Sequence, residues 1–265
     1  MISQYKQEVS KYGKKDAIIA LCFFVYICVV NYALMVLSRL TSLGDIANTL
    51  IAFGFIVVPC FAIVMLKKQS IASIGIHTKN LWSALGIGAV LAALILLLRA
   101  FIPGLVEGWE FHPLNHVMLM LFFTVALAIM EDIVFSGYIQ TRIYGLIKND
   151  IAAVLIVGFL FALIHVVAYA GLFGISDFSI ASFSTRFPFW IGMHIIYNLV
   201  FRRRFSIFPV IMVHTAWNFS NMGIFVIDGG SIFINISFYV LLSVMVIWTI
   251  VAHLRMRKTS REQLG

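Results

Sequence analysis

The sequence predicts an all-α, polytopic membrane helix bundle with about eight transmembrane helices and with both termini in the cytosol. Two observations support this prediction. Of the 265 residues, 62% are hydrophobic and only 11% are charged, whereas a water-soluble domain has about 25% charged residues. The apolar residues also form continuous blocks of the length that a helix needs to cross a bilayer, about 20 residues. A transmembrane β-barrel has short alternating segments instead.

The predicted helices are apolar runs that are separated by turn-forming residues, such as Pro103-Gly104 and Asp228-Gly229-Gly230. The first run is longer than the apolar core of a signal peptide, so we expect it to be retained. The whole chain, 1–265, is predicted to form a single membrane domain. The predicted helices lie at approximately 17–38, 46–66, 81–102, 115–140, 151–170, 187–201, 207–227 and 232–254.

Basic residues fall mainly on one side of this arrangement. Of the 19 Lys and Arg residues, only Arg39, Arg99 and Arg186 lie on the other side, and the basic side includes Arg142 and Lys148 in the fourth loop. The positive-inside rule therefore predicts that both termini are cytosolic. The net charge of +8 then reflects membrane topology rather than nucleic-acid binding. Arg99 lies near a helix end, so its side chain is expected to extend to the outer interface.

Several polar side chains lie inside the predicted spans. Glu131 and Asp132 occupy the fourth apolar run, His165 the fifth, and His214 with Asn218 the seventh. An acidic residue at the bilayer centre costs on the order of 3 kcal/mol, and such residues usually face the bundle interior and mark a functional site. Together, a carboxylate, imidazoles and an amide can activate a water and stabilise an oxyanion, so the residues indicate hydrolysis, with or without a metal.

Three motifs in this region resemble those of a known family. Glu131–Tyr138 is similar to the first motif, E-E-x-x-x-R, of the CPBP group, which comprises type II CAAX prenyl proteases and bacteriocin-processing or immunity proteins and is also called the Abi family. Phe161–His165 resembles the second motif, F-x-x-x-H, and His214–Asn218 the last, H-x-x-x-N. The resemblance covers approximately residues 70–220. It implies a CPBP-like catalytic core there and a glutamate-dependent intramembrane endopeptidase activity.

The resemblance also implies roles for individual residues. Glu131 is expected to be the catalytic base that activates water, and His165 is expected to help hold that water. His214 and Asn218 are expected to stabilise the oxyanion of the tetrahedral intermediate, and Phe161 to support the site. The cofactor stays open between a divalent metal such as zinc, with Glu131, His165 and His214 as candidate ligands, and no metal at all.

Two supporting positions depart from the first motif. Asp132 replaces the second Glu, and Ser136 replaces the Arg. The two residues are four apart on one helix face, so we predict that an Asp132–Ser136 hydrogen bond takes the place of an acid–arginine pair. His194 matches none of the motifs and is expected to have a structural or site-lining role.

These residues favour an intramembrane endopeptidase that cleaves a peptide or membrane-anchored protein, in the cell membrane of a prokaryote. Ser136 favours an alternative, a catalytically degenerate membrane scaffold that acts with a regulatory membrane partner in bacteriocin immunity or signalling. A proton-coupled transporter is a third interpretation. The sequence has no inverted repeat to support it.

Overall fold

A computed structural model describes residues 4–41, 44–107, 111–173 and 180–222, together with 236, 238–244 and 247. Among these residues there is no β-strand, and the long elements are all helical, which confirms the predicted all-α fold. The described part of the eighth predicted helix, 232–254, is also helical, and its remaining residues lie outside the described part of the chain.

The helices follow the apolar runs closely, and most begin or end within a few residues of the predicted positions. In chain order, the elements are α1 (Gln4–Val9), α2 (Lys14–Thr41), α3 (Asp45–Leu66), a 3₁₀ turn (Ile71–Ile74), α4 (Leu81–Leu96), a π-helical segment (Leu97–Phe101), α5 (Ile102–Glu107), α6 (Leu114–Asp132), a second π-helical segment (Ile133–Ile139), α7 (Gln140–Ile147), α8 (Asp150–Phe173), α9 (Ile180–Arg204) and α10 (Phe208–Met222).

Five helical stretches among the described residues are long and apolar enough to cross a membrane, so the chain is an integral membrane protein. Helix α9 does not meet this standard because polar residues such as Arg186 and His194 interrupt it, and α10 has only 15 residues. The count of eight spans and the cytosolic termini therefore stay predictions. The five stretches are Lys14–Thr41, Ile46–Leu66, Leu81–Val106, Leu114–Ile147 and Asp150–Leu172.

The bundle is organised around two sets of neighbouring helices. Helix α10 packs against α4 and α6, while α2 packs against α8 and α7, and α8 packs against α9. Large aromatic side chains such as Phe135, Phe161 and Tyr197 are buried between these helices. Large apolar side chains such as Val90 and Ile151 are exposed on the outside, as expected for helices that are surrounded by lipid.

Two π-helical segments interrupt otherwise continuous helices, and both contain polar residues. The segment Leu97–Phe101 contains Arg99. The segment Ile133–Ile139 contains Ser136 and begins directly after Asp132. Gly137 lets the second segment approach the 3₁₀ turn, because a Cβ atom there would lie 2.7 Å from the carbonyl oxygen of Ile74. Such segments are frequent at functional sites.

Arg99 does not reach the outer interface, so that prediction is wrong. Its side chain is 4% exposed, and its guanidinium carbon lies 3.7 Å from the centre of the Trp217 ring. Nη1 of Arg99 also donates a hydrogen bond of 3.1 Å to the carbonyl oxygen of Trp217. The aromatic face and the carbonyl compensate for the water that a buried cation loses, and the contact joins the first π-helical segment to α10.

Arg142 does not lie in a loop as predicted, because it belongs to α7 and is fully buried. Its guanidinium donates to the carbonyl oxygen and the hydroxyl of Ser73 and to the side-chain oxygen of Gln69, at 2.7–3.1 Å. The rings of Tyr12 and Tyr138 cover its faces at 4.4 and 4.8 Å. Arg142 therefore joins α7 to the 3₁₀ turn and to the chain that precedes α2.

We expect Arg142→Leu to destabilise the protein by about 3 kcal/mol, because hydrogen bonds to a charged group are lost and the buried Ser73 loses its arginine partner. The measurement is thermal unfolding in detergent. Lys15→Leu, at an exposed position of α2, is the control and should leave the melting temperature nearly unchanged. Equal melting temperatures for Arg142→Leu and the native protein would contradict this account of the buried arginine.

Candidate active site

A cavity of about 420 Å³ lies inside the bundle and is bounded by α2, α3, α6, α8, α9 and α10. Four of the residues predicted from the sequence, Glu131, His165, His214 and Asn218, line it. Much of the remaining wall consists of aromatic side chains. These are Phe123, Phe161, Tyr169, Phe189, Trp190, Tyr197 and Trp217.

The imidazole of His214 contacts both acidic side chains of α6. Its Nε2 atom lies 3.7 Å from Oε2 of Glu131, and its Nδ1 atom lies 3.3 Å from Oδ1 of Asp132. Adjacent residues of an α-helix point about 100° apart, so the two carboxylates approach opposite edges of one ring. His214 and Asp132 are 3% and 1% exposed, so their contact lies away from bulk water.

Two aromatic side chains hold the ring of His214 in this orientation. Tyr197 of α9 stacks on the imidazole, with ring centres 4.4 Å apart and planes inclined by 27°. Phe161 of α8 approaches from another direction, at 6.4 Å and nearly edge-on. The position of His214 therefore depends on α8 and α9 as well as on its own helix.

His165 has a fixed ring orientation as well. Its Nδ1 atom lies 2.8 Å from the carbonyl oxygen of Phe161, one helical turn earlier. A carbonyl only accepts, so Nδ1 of His165 is the donor in this contact. The imidazole also stacks on Trp190 at 4.7 Å. The F-x-x-x-H spacing thus places a backbone acceptor where it orients the histidine.

The predicted hydrogen bond between Asp132 and Ser136 is absent. The Ser136 hydroxyl is fully buried and has no hydrogen-bond partner among the described residues. The π-helical segment explains the difference, because it starts at Ile133 and its wider turn removes Ser136 from the face that α-helical spacing assigns to it. His214 supplies the contact to Asp132 instead.

Several polar residues of the cavity wall were not predicted from the sequence. Asn31 of α2 and Asn48 of α3 contribute amide groups, and Tyr197 contributes a phenol. Both asparagines interrupt apolar runs, but an uncharged amide is a weaker signal than an acid such as Glu131. His194 is fully buried against Phe161 at 5.4 Å and does not line this cavity.

The described residues contain no group of three or more His, Cys, Asp or Glu side chains arranged to hold a metal ion. The candidate ligands Glu131, His165 and His214 share one cavity without forming such a group. We therefore assign no chemical step to a metal.

A comparison with family profiles matches residues 113–220 to the family described as type II CAAX prenyl endopeptidase Rce1-like. This segment, which is less than half of the chain, is similar to the Rce1-like family. The match agrees with the resemblance seen in the three sequence motifs. It begins at the start of α6 and ends in α10, so the extension of the core back to residue 70 stays a prediction. A search of the curated proteins finds no match.

The similarity to the Rce1-like family suggests a CAAX-type intramembrane protease, and such an enzyme acts on a peptide or protein substrate in a lipid bilayer. The family description mentions neither bacteriocin immunity nor a metal, so those predictions gain no support from it. The residues that lie around the cavity but outside the matched segment, such as Asn31 and Asn48, belong to α2 and α3.

We expect the stacking of Tyr197 on His214 to matter for proteolysis, whereas its hydroxyl is expected to matter less. Tyr197→Phe keeps the stacked ring and should retain activity within about threefold, while Tyr197→Leu should lose on the order of 10- to 100-fold, because a misplaced imidazole disturbs the geometry of the site. The measurement is peptide cleavage in proteoliposomes at matched protein levels. A Leu variant as active as the Phe variant would rule out the positioning role of the ring.

Proposed function

We propose that this chain is an intramembrane endopeptidase that uses a water activated by Glu131 to cleave a peptide or membrane-anchored protein. The observation that supports this proposal is the position of His214, within 3.7 Å of Glu131 and 3.3 Å of Asp132. The same cavity is also lined by His165 and Asn218. The Rce1-like match of this segment supports the same class of reaction.

The proposed reaction begins when the Glu131 carboxylate takes a proton from a water molecule beside the cavity that His165 also lines. The water oxygen forms a bond to the carbonyl carbon of the scissile amide, and the π electrons of that carbonyl move to its oxygen. The resulting oxyanion accepts hydrogen bonds from His214 and from the amide of Asn218. The C–N bond then breaks, and the proton held by Glu131 passes to the leaving nitrogen. The products are a carboxylic acid and an amine.

Asp132 has a supporting role in this scheme. Its Oδ1 atom lies 3.3 Å from Nδ1 of His214, while Nε2 of the same ring lies 3.7 Å from Oε2 of Glu131, on the side where the oxyanion would develop. A positively charged imidazole gains from a neighbouring carboxylate in a site that excludes water. This contact compensates the charge of Asp132 without the arginine that the family motif has at position 136.

The aromatic wall of the cavity suits an apolar stretch of substrate. Side chains such as Phe123, Phe189 and Trp190 provide surface for apolar groups, while the polar groups gathered around Glu131 are suited to the peptide bond. A volume of about 420 Å³ is within the usual range for ligand pockets. We propose that the enzyme acts in the cell membrane of a prokaryote with both termini cytosolic, since the basic residues are concentrated on that side.

One observation favours a second candidate, the catalytically degenerate scaffold. Ser136 stands where the family motif has an arginine, and its hydroxyl is buried without a partner among the described residues. A chain that had lost the arginine and its catalytic purpose could keep the same bundle and bind a peptide or a regulatory membrane protein. Substitutions of Glu131 and Ser136 distinguish the two candidates.

Glu131→Gln keeps the size of the side chain and removes the base, so cleavage should fall by about 100-fold or more. The assay uses proteoliposomes and a quenched fluorescent peptide with a prenylated CAAX terminus, alongside the same peptide without the prenyl group. Glu8→Gln in α1, outside the spans, is the matched control and should remain active. Full activity of Glu131→Gln would contradict the proposed mechanism. Loss of cleavage with an intact cellular phenotype would favour the scaffold.

Ser136→Arg should lower the melting temperature and should not raise activity, because a large cation must enter a fully buried position. Ser136→Ala should be close to neutral, since the native hydroxyl has no partner among the described residues. The measurements are thermal unfolding and cleavage of the same peptides. If the native protein were inactive and Ser136→Arg active, the chain would be a degenerate enzyme.

A further inference from the structure

A second and much smaller cavity adjoins the first at Glu131. Its volume is about 30 Å³, and Asn31, Met130 and Glu131 line both cavities. The rest of its wall is apolar and comes from α2, α3, α8 and the second π-helical segment. These residues are Ile27, Ile56, Val134, Phe135 and Ile164. We call this space the water chamber.

The size and the lining of the water chamber suit a bound water molecule. A buried water needs a cavity of at least about 10–15 Å³ and at least two polar partners. Asn31 and Glu131 are the two polar side chains that line the chamber. Oε2 of Glu131 is buried without a hydrogen-bond partner among the described residues, so it is available as an acceptor.

The amide of Asn31 has a defined orientation. Its Nδ2 atom donates a hydrogen bond of 3.0 Å to the carbonyl oxygen of Ile27, one turn earlier in α2. This bond anchors one end of the amide and leaves Oδ1 as an acceptor that can face the two cavities. Asn31 therefore offers an acceptor from α2 beside the carboxylate that α6 provides.

We propose that Asn31 is a water-positioning residue, which holds the attacking water in the water chamber together with Glu131. A water that donates one hydrogen to Glu131 and the other to Oδ1 of Asn31 directs its lone pairs away from both acceptors. Those lone pairs are then free to face a substrate carbonyl in the main cavity. This inference rests on the proposed function and adds a residue that lies outside the matched segment 113–220.

The test compares Asn31→Leu with Asn31→Thr in proteoliposomes, using the quenched CAAX peptide. Leucine has a similar volume and no acceptor, so kcat should fall about 10- to 100-fold while KM stays within about twofold. Threonine can bond the carbonyl four residues earlier and still accept from water, as Thr41 and Thr124 bond Leu37 and Met120 in this protein. It should therefore restore most of the kcat that leucine loses.

Asn48→Leu is the matched comparison, because Asn48 lines the main cavity and not the water chamber. Its effect should fall on KM rather than on kcat. Binding of the uncleaved peptide is measured separately in the Glu131→Gln background, where Asn31→Leu should leave the Kd unchanged within about twofold.

The outcomes separate this inference from the proposed function. Inactive Glu131→Gln with a normal kcat for Asn31→Leu would overturn only the role of Asn31, whereas active Glu131→Gln would overturn the mechanism itself. Equal losses of kcat in Asn31→Leu and Asn48→Leu would also overturn the role of Asn31. So would weaker peptide binding by Asn31→Leu that accounts for its whole loss of activity. A loss of kcat confined to Asn31→Leu and reversed by threonine would support it.

Discussion

The contact of His214 with Glu131 and Asp132 is the interaction on which the rest of the site depends. Two adjacent carboxylates inside an apolar bundle repel one another and lose their hydration, so they need a nearby partner. The imidazole of His214 in α10 contacts both: its Nε2 atom lies 3.7 Å from Glu131 Oε2, and its Nδ1 atom lies 3.3 Å from Asp132 Oδ1. Its position is fixed by Tyr197 from α9, and the Arg99–Trp217 contact fixes α10 against the first π-helical segment. The acids can therefore persist only in the assembled bundle.

Three sets of charged groups inside this bundle are compensated in different ways. The acids of α6 contact a histidine. Arg99 lies against an aromatic face and a backbone carbonyl, and Arg142 donates to neutral oxygen atoms between two tyrosine rings. Each one joins elements that are far apart in sequence, so the polar groups that make the interior costly also fix how the helices meet.

The fold and the four residues around the cavity could be predicted because both follow from one energetic rule. Apolar runs enter lipid, and a polar residue within such a run is costly unless it faces the bundle interior. The same rule failed for Arg99 and Arg142, since the cost of burial depends on tertiary partners that no local pattern reveals. The Asp132–Ser136 bond failed because it assumed unbroken α-helical spacing. Asn31 was overlooked because an uncharged amide is a weaker signal than an acid.

The π-helical segment between α6 and α7 sets the rotation of one end of a long helix against the other. Glu131 lies just before the segment, and Arg142 lies beyond it in α7. Each residue inserted into or deleted from an α-helix rotates everything after it by about 100°. A change of length here would therefore turn either the acid away from the cavity or the arginine out of its cluster. Insertions and deletions in this segment should therefore disturb the site or the arginine cluster wherever they fall within it.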